Sequence, residues 1–198
     1  CDELGPGAQA AEAVNAVAFT ADRRLIGDNF DGEGFVAGLR GENPCNVPEA
    51  EIFTGKKALL VGAGGAARAI ALAMSCCDLA QIDITNRTPE NAEKAVRLAQ
   101  KIVPDAPAQS IAGAEIDFAS YDMVINATPL GLHSDDAMPF DVHSLSANCL
   151  VCDIIMVPER TALIDAAEAR GLKVHLGRHM LDYQMQLIGE FIGALEAR

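Results

Sequence analysis

The stretch "LLVGAGGAARA", residues 59–69, decides the fold class. An apolar run ends in a G-x-G-x-x-A pattern, residues 62–67, which leads into alanine-rich, helix-like sequence. In a strand–turn–helix unit, Gly62 permits the tight turn, Gly64 lets backbone N–H groups approach a pyrophosphate, and Ala67 allows the helix to pack closely on the strand. The helix N-terminus adds partial positive charge. The segment therefore predicts a dinucleotide-binding turn, and a merely tight strand–helix turn is the alternative.

Strand-like and helix-like segments alternate at short spacing from Lys56 to the end of the chain. This pattern is typical of a Rossmann-type α/β fold, in which a parallel sheet carries helices on both faces. Upstream, the sequence predicts two short strands at 12–19 and 23–27 and a short helix at 31–41, before a proline-containing connector.

Composition and charge exclude several classes of protein. The chain has 198 residues, half of them hydrophobic, and a net charge of −13. A nucleic-acid-binding protein needs a basic surface, which this composition does not provide. No apolar run approaches the ~20 residues of a membrane span, and the N-terminus lacks a signal pattern. We therefore expect a cytoplasmic protein. Because the sequence starts at Cys1, we also expect that an upstream part has been removed or left out.

Six cysteines raise the question of a metal or redox site. Cys149 and Cys152 form a C-x-x-C within a strand-like run, where residues i and i+3 point to opposite faces. The pair cannot share a metal, so we predict core thiols, no metal site and a reduced compartment.

Two further segments follow strands and are candidates for ligand contacts. In "DITNRT", residues 83–88, Arg87 occupies the region where NAD enzymes place an acid and where a basic residue suits a 2′-phosphate. Arg87 therefore favours NADP, although Asp83, Glu90 and Glu93 would oppose a phosphate if they lay nearby, and a solvated strand-end charge is the alternative. The second segment, "VINATPLG" at 124–131, places polar groups at the carboxyl edge of the sheet, unless it is a plain Pro-Gly turn.

The stretch "LIGDNFDGEGF", residues 25–35, places two carboxylates and an amide where a strand gives way to a helix. From local physics alone, Asp31 is a candidate helix N-cap, and catalysis is the alternative.

Six motifs occur in an order and spacing that resembles the shikimate dehydrogenase family: "ELGPGAQAAEAVNAV", "GDNFDGEGF", "VGAGGAARA", "NRT", "INATPLG" and D-x-x-x-x-P-x-x-T. The resemblance covers nearly the whole chain. It implies the C-terminal part of a small α/β substrate domain at 1–45, an NAD(P)-binding Rossmann domain at 46–178, and a terminal helix at 179–198 that packs back on the substrate domain. The implied reaction is reversible hydride transfer between NADP or NAD and a ring ketone or hydroxyl of shikimate, quinate or a related cyclic hydroxy acid.

The resemblance also assigns roles to residues. It implies a catalytic role for Asp31, which reverses the N-cap interpretation, and substrate binding by Asn15 and Gln184, while Asp28 keeps a structural role. The residues expected to bind the cofactor are Gly62, Ala63, Gly64, Gly65, Ala66, Asn86, Arg87, Thr88, Asn126, Ala127, Thr128 and Met156.

Several positions depart from the family pattern. Phe30 replaces a threonine, Met156 and Val157 replace a tyrosine and an asparagine, and His179 replaces a glycine, which together suggest a paralogue with a reshaped pocket. His179 either contacts a ligand or packs in a junction at the start of the helix. Asn91 stands where many members have a second basic residue, so NAD use is realistic.

The family's acid–base lysine and its carboxylate-binding serine pair lie upstream of the segment matching "ELGPGAQ". We therefore expect the 198 residues to bind cofactor but to turn over slowly, and an added upstream segment to restore turnover. Two alternatives remain: a catalytically impaired sensor or regulatory module, and another Rossmann enzyme such as a tRNA-linked or folate-linked reductase, which Asn15 and "GDNFDG" argue against. We expect a small cyclic acid as partner, allow for a homodimer, and expect no nucleic acid or membrane.

Overall fold

The computed structural model describes residues 1–196 and contains two sheets with helices packed on them. The strands are β1 Glu3–Leu4, β2 Ala16–Phe19, β3 Leu25–Asp28, β4 Lys57–Val61, β5 Gln81–Thr85, β6 Ala108–Ser110, β7 Met123–Asn126, β8 Leu150–Asp153 and β9 Lys173–His175. The α-helices are α1 Pro6–Ala11, α2 Asp31–Glu42, α3 Gly65–Ser75, α4 Pro89–Ile102, α5 Ala162–Ala169 and α6 Gly177–Phe191, and short 3₁₀ segments lie at Glu49–Glu51, Gly113–Glu115, Phe118–Ser120 and Val142–Ser144.

The larger sheet has six strands in the order β6-β5-β4-β7-β8-β9, and every neighbouring pair is parallel. Its central strands are apolar on both faces, as expected for a sheet covered on two sides. Side chains of α2, α3, α4 and α6 pack on the face that includes Leu60, whereas α5 packs on the face that includes Leu59. The prediction of a Rossmann-type sheet with helices on both faces is confirmed.

The prediction that Cys149 and Cys152 are core thiols on opposite faces of the sheet is also confirmed. Cys149 and Cys152 are both fully buried, and they lie in the two apolar clusters on opposite faces of the sheet. All six cysteines are free. Within residues 1–196, no group of three or more His, Cys, Asp or Glu side chains is arranged to hold a metal. Likewise, none of the helices in this part of the chain is both long and apolar enough to span a bilayer.

A smaller three-stranded sheet precedes the large one, in the order β1-β3-β2. Strand β1 is parallel to β3 and β2 is antiparallel to it, with Val17 opposite Gly27. Helix α1 packs its buried Ala11 against Ala69 and Leu72 of α3. Sequence reasoning found β2, β3 and α2 but missed β1, α1 and β6, which have only two, six and three residues.

Helix α6 lies against α2, and glycines allow this close approach. A Cβ atom at Gly34 would lie 2.6 Å from the carbonyl oxygen of Met180, and one at Gly32 would lie 2.2 Å from that of Ala69. Helix α2 is therefore held between α3 and α6. This arrangement fixes its first residue, Asp31, beside both helices.

Candidate functional site

The glycine turn after β4 has the geometry that its sequence predicts. Gly62 has a φ of 119°, in the region that favours glycine, and a Cβ atom there would lie 2.5 Å from the carbonyl oxygen of Ala127. Gly64 has an ordinary extended backbone, with φ −72° and ψ −170°, and a Cβ atom there would meet nothing within 4 Å. The turn itself therefore requires glycine at 62, whereas glycine at 64 leaves open space beside the backbone.

The N-terminus of α3 offers unpaired donors to that open space. The first backbone bond of the helix runs from the N–H group of Arg68 to the carbonyl of Gly64, 2.9 Å, and the N-cap Gly64 has no side chain to satisfy the earlier N–H groups. Such groups, together with the helix dipole, bind anions. These residues fit the diphosphate of a dinucleotide.

Two adjoining clefts meet at this turn, and Gly64 and residues 127–129 line both of them. The larger cleft, about 1100 Å³, extends along residues 85–89 and 91–93. The smaller, about 430 Å³, is bordered by Leu132 and by residues 154–157, which include Met156. Together they provide space for the two halves of an elongated ligand on either side of the helix N-terminus.

Arg87, the predicted positive charge, lies at the larger cleft. Only some of the acidic residues that would oppose a phosphate there lie near it. Arg87 is exposed and lines the cleft, as does Glu93, which also lies 3.5 Å from Arg97. The carboxylate of Asp83, in contrast, is buried on the sheet, where it accepts the hydroxyl of Tyr121. Asp83 therefore does not oppose a phosphate at Arg87.

Asn126 is predicted to contact the cofactor, but its side chain does not reach the clefts. Its side chain is fully buried. The amide nitrogen donates to the carbonyl of Leu130, 3.0 Å, and to Asp153, 3.2 Å, while the amide oxygen accepts from the N–H and the hydroxyl of Thr128, 3.1 and 2.7 Å. All its hydrogen-bonding positions are occupied. Asn126 therefore shapes the loop that brings Ala127 and Thr128 to the clefts.

Asp153, which sequence reasoning left without a role of its own, joins the two loops that wall the smaller cleft. Besides Asn126, it accepts the N–H of Ile155, 3.1 Å, and the hydroxyl of Thr161, 2.7 Å. Burial raises the pKa of the Asp153 carboxyl, against the lowering effect of these hydrogen bonds. The D-x-x-x-x-P-x-x-T pattern was the signal: Thr161 caps α5 by accepting the N–H of Ile164.

The three residues predicted to contact substrate come together, although they are far apart in sequence. Asn15 lies just before β2, Asp31 begins α2 and Gln184 lies within α6. The amide nitrogen of Asn15 donates to the carboxylate of Asp31, 2.7 Å, and to the amide oxygen of Gln184, 3.1 Å. The amide oxygen of Asn15 accepts the N–H of Phe30, 3.1 Å. We call Asn15, Asp31 and Gln184 the polar triad.

Asp31 is not a helix N-cap, so that interpretation is wrong. The N-cap position is held by Phe30, and no side chain caps the helix there. Burial raises the pKa of the Asp31 carboxyl, while hydrogen bonds from Asn15 and Asn29 act in the opposite direction. Asp28 has the predicted structural role, because its buried carboxylate accepts the N–H groups of Ala8 and Asn29, both at 2.8 Å.

Two of the positions that depart from the family pattern have clear surroundings. The ring of Phe30 packs on Phe191 of α6, with centroids 5.4 Å apart. His179 belongs to a packed junction between α2 and α6: its ring lies 5.0 Å from that of His175, and its Nδ1 atom lies 3.6 Å from Glu42. Burial, with a smaller effect of His179, lowers the pKa of His175 to about 3, so His175 is neutral.

The segments that carry the polar triad touch the segments that form the clefts. A Cβ atom at Gly65 would lie 3.0 Å from the Cβ of Ala13, two residues before Asn15. A Cβ atom at Gly177, the first residue of α6, would lie 2.4 Å from the carbonyl oxygen of Ile155, which lines the smaller cleft. The segments that carry the triad therefore rest directly on the segments that form the clefts.

The parallel sheet, with a glycine turn and joined clefts at its carboxyl edge, defines a Rossmann-type α/β protein. The model of the shikimate / quinate 5-dehydrogenase family matches residues 48–134. The chain is 34% identical over 202 residues to the NADP(+) shikimate dehydrogenase of Methanopyrus kandleri, covering 100% of this chain and 67% of that protein. It belongs to the shikimate/quinate dehydrogenase family, which confirms the resemblance.

Two further comparisons agree. The chain is 38% identical over 193 residues to the NADP(+) shikimate dehydrogenase of Bacillus licheniformis, covering 97% of this chain, and it spans 62% of the length of that relative. The structure is similar to quinate dehydrogenase from Corynebacterium glutamicum in complex with NAD, with a TM-score of 0.85, 27% identity, and coverage of 98% of this chain and 67% of that one.

Proposed function

We propose that the protein is an oxidoreductase that transfers a hydride reversibly between NADP or NAD and a ring ketone or hydroxyl of shikimate, quinate or a related cyclic hydroxy acid. The observation behind the proposal is that Asn15, Asp31 and Gln184 form a hydrogen-bonded triad, and that the segment leading to Asn15 packs against Gly65 of the glycine turn. The names of the relatives support the substrate class, since they are shikimate and quinate dehydrogenases.

We infer that the cofactor is held along both clefts. It supplies or accepts the hydride when bound. The glycine turn supplies N–H groups for the diphosphate, and Arg87 supplies a charge for a 2′-phosphate, while Asn91 adds an uncharged side chain to the same cleft. The two relatives described above are named with NADP(+) and the similar structure holds NAD, and a single arginine at 87 is consistent with use of either. The proposed contacts are Gly62, Ala63, Gly64, Gly65, Ala66, Asn86, Arg87, Thr88, Ala127, Thr128 and Met156.

The polar triad suits the substrate side of the reaction. Reduction of a ketone needs a hydride on carbon and a proton on oxygen. The amides of Asn15 and Gln184 can donate to and accept from ring hydroxyls. Asp31 is the titratable member, and burial raises its pKa; its carboxyl group can exchange a proton at the reacting oxygen or orient a second acid–base group.

A direct test is cofactor reduction by shikimate and by quinate, each with NADP⁺ and NAD⁺. We expect reduction with at least one pair, and we expect Asp31→Asn to lower kcat by at least about 100-fold, the low end for a general acid–base group. Glu33→Gln, an exposed carboxyl in the same first turn of α2, is the matched control and should keep wild-type turnover. Turnover by the 198 residues is expected to be slow, so the result that would contradict the proposal is tight cofactor binding without turnover of any cyclic acid even after the family's upstream segment is added.

Cofactor choice is tested at Arg87. If its charge contacts the 2′-phosphate, Arg87→Ala should weaken NADP⁺ about tenfold relative to NAD⁺, about 1.4 kcal/mol. Arg97→Ala removes a neighbouring exposed charge of α4 and should leave the ratio unchanged. An unchanged ratio of NADP⁺ to NAD⁺ affinity in Arg87→Ala would indicate that Arg87 faces solvent and does not contact the 2′-phosphate.

We also propose the division into residues 1–45, 46–178 and 179–198, which the two separate sheets support. Six free cysteines support a reducing compartment such as the cytoplasm. We also propose a homodimer, which light scattering with size-exclusion chromatography tests.

A further inference from the structure

Arg68 contacts two parts of the protein that the proposed reaction must bring together. It lies in the first turn of α3 and lines the larger cleft. Its Nε atom donates to the carbonyl of Ala11, 2.7 Å, and its Nη2 atom donates to the carbonyl of Glu12, 2.9 Å. These carbonyls belong to the C-terminal end of α1, where the helix itself supplies no partners.

The segment held by Arg68 leads within three residues to the polar triad. Glu12 has a φ of 49°, so the chain turns sharply there, and Ala13 then packs against Gly65. The N–H of Asn15 donates to the carbonyl of Asp28, 3.0 Å, and the Asn15 side chain joins the triad. Only residues 13 and 14 separate these carbonyls from Asn15, so their position constrains where Asn15 lies.

A second cation holds the same segment from outside the cleft. Lys94 of α4 lies 2.5 Å from the carboxylate of Glu12, and both side chains are about half exposed. Lys94 is not among the residues that line the larger cleft. The chain thus offers a matched pair: Arg68 and Lys94 both restrain residue 12, but only Arg68 also faces the cleft.

We propose that Arg68 is a positioning residue that couples occupancy of the cofactor cleft to the placement of Asn15. The inference rests on the proposed function. A guanidinium is planar and rigid, and it carries five N–H donors in a fixed arrangement. Nε–H and one Nη2–H form a single edge of the group and are used on the carbonyls, while the other three N–H donors make no hydrogen bond within residues 1–196 and can serve an acceptor of a nucleotide in the cleft. A nucleotide acceptor that binds the free donors of Arg68 therefore restrains the donors that hold the carbonyls of residues 11 and 12. This coupling between the cofactor and the segment acts equally in both directions.

The first experiment measures hydrogen–deuterium exchange of residues 11–18 with and without NADP⁺ or NAD⁺, so it does not depend on turnover. In the wild-type protein we expect cofactor to slow exchange of this segment at least about fivefold, the low end of allosteric coupling. Arg68→Met should lose this protection, Arg68→Lys should keep part of it, and Lys94→Met should keep all of it.

The second experiment measures binding of shikimate and quinate with and without cofactor. The affinity should rise at least about fivefold with cofactor in the wild type and in Lys94→Met, and should be unchanged by cofactor in Arg68→Met. If wild type binds neither cofactor, the proposed function fails. If it binds cofactor but Arg68→Met keeps the protection and the coupling, only the inference fails. If the Arg68 variants do not fold, the hydrogen–deuterium exchange of the wild-type protein alone tests the inference. Absence of cofactor-dependent protection of residues 11–18 would then overturn it.

Discussion

Replacing Gly64 with alanine should separate stability from cofactor affinity. Gly64 has a backbone conformation that alanine adopts without strain, and a Cβ atom there meets nothing within 4 Å. A glycine-to-alanine change at such a position restricts the unfolded chain and stabilises the fold by about 0.4–1 kcal/mol. We therefore expect Gly64→Ala to be as stable as the wild type or slightly more stable.

The same methyl group should weaken cofactor binding. Gly64 lines both clefts, and the methyl would enter the space next to the unpaired N–H groups of α3. A hydrogen bond to a charged group contributes about 1.5–3 kcal/mol. If the methyl prevents one such bond to a diphosphate, affinity for NADP⁺ and NAD⁺ should fall about 10- to 150-fold.

Gly62→Ala is the matched control, because its methyl meets protein rather than open space. Its φ of 119° and the carbonyl of Ala127 at 2.5 Å make the change costly for the fold itself. We expect a loss of about 1–3 kcal/mol, the usual cost of a strained backbone position.

Urea unfolding gives the stability of each variant, and fluorescence titration with reduced cofactor gives its affinity. Wild-type affinity in Gly64→Ala would refute the assignment of the diphosphate to this turn. A stability loss in Gly64→Ala as large as that in Gly62→Ala would refute the distinction between the two glycines.

Three further outcomes are expected. Because burial raises the pKa of Asp31, its ionised form destabilises the fold at neutral pH, and Asp31→Asn should unfold at a higher temperature than wild type near pH 7. This difference in unfolding temperature should disappear below pH about 4, and a difference that is the same at every pH would contradict the cause. The carboxylate of Asp153 only accepts hydrogen bonds, so in Asp153→Asn the new amide N–H₂ group would face another donor, such as the Thr161 hydroxyl. Unfolding in urea should show that the free energy of unfolding falls by about 1–3 kcal/mol. A thiol reagent should modify exposed Cys1 and Cys76 rapidly in the native protein, half-buried Cys45 more slowly and buried Cys77, Cys149 and Cys152 slowest, and a chelator should not change stability; fast modification of any of the three buried thiols would contradict the packing.

Periodic apolar runs were enough to predict the parallel sheet, because strands such as β4 and β7 must be apolar on both faces when helices cover the sheet. The same reasoning missed α1, which has six residues and begins next to two glycines. A helix this short is not stable by itself, so its sequence carries little local signal. It forms because Ala11 packs on α3 and Arg68 binds its final carbonyls.

By itself, the sequence determined the glycine turn and the opposite orientation of Cys149 and Cys152, because backbone freedom and side-chain direction along a strand are local properties. The residues of the polar triad were identified through the resemblance of the sequence to a family, not from local properties. Only the tertiary structure decided which hydrogen bonds those residues make. Asn15 and Gln184 are 169 positions apart and meet because α6 packs on α2. The burial of Asn126 likewise comes from strands and loops that no local pattern relates, so its supporting role follows from packing alone.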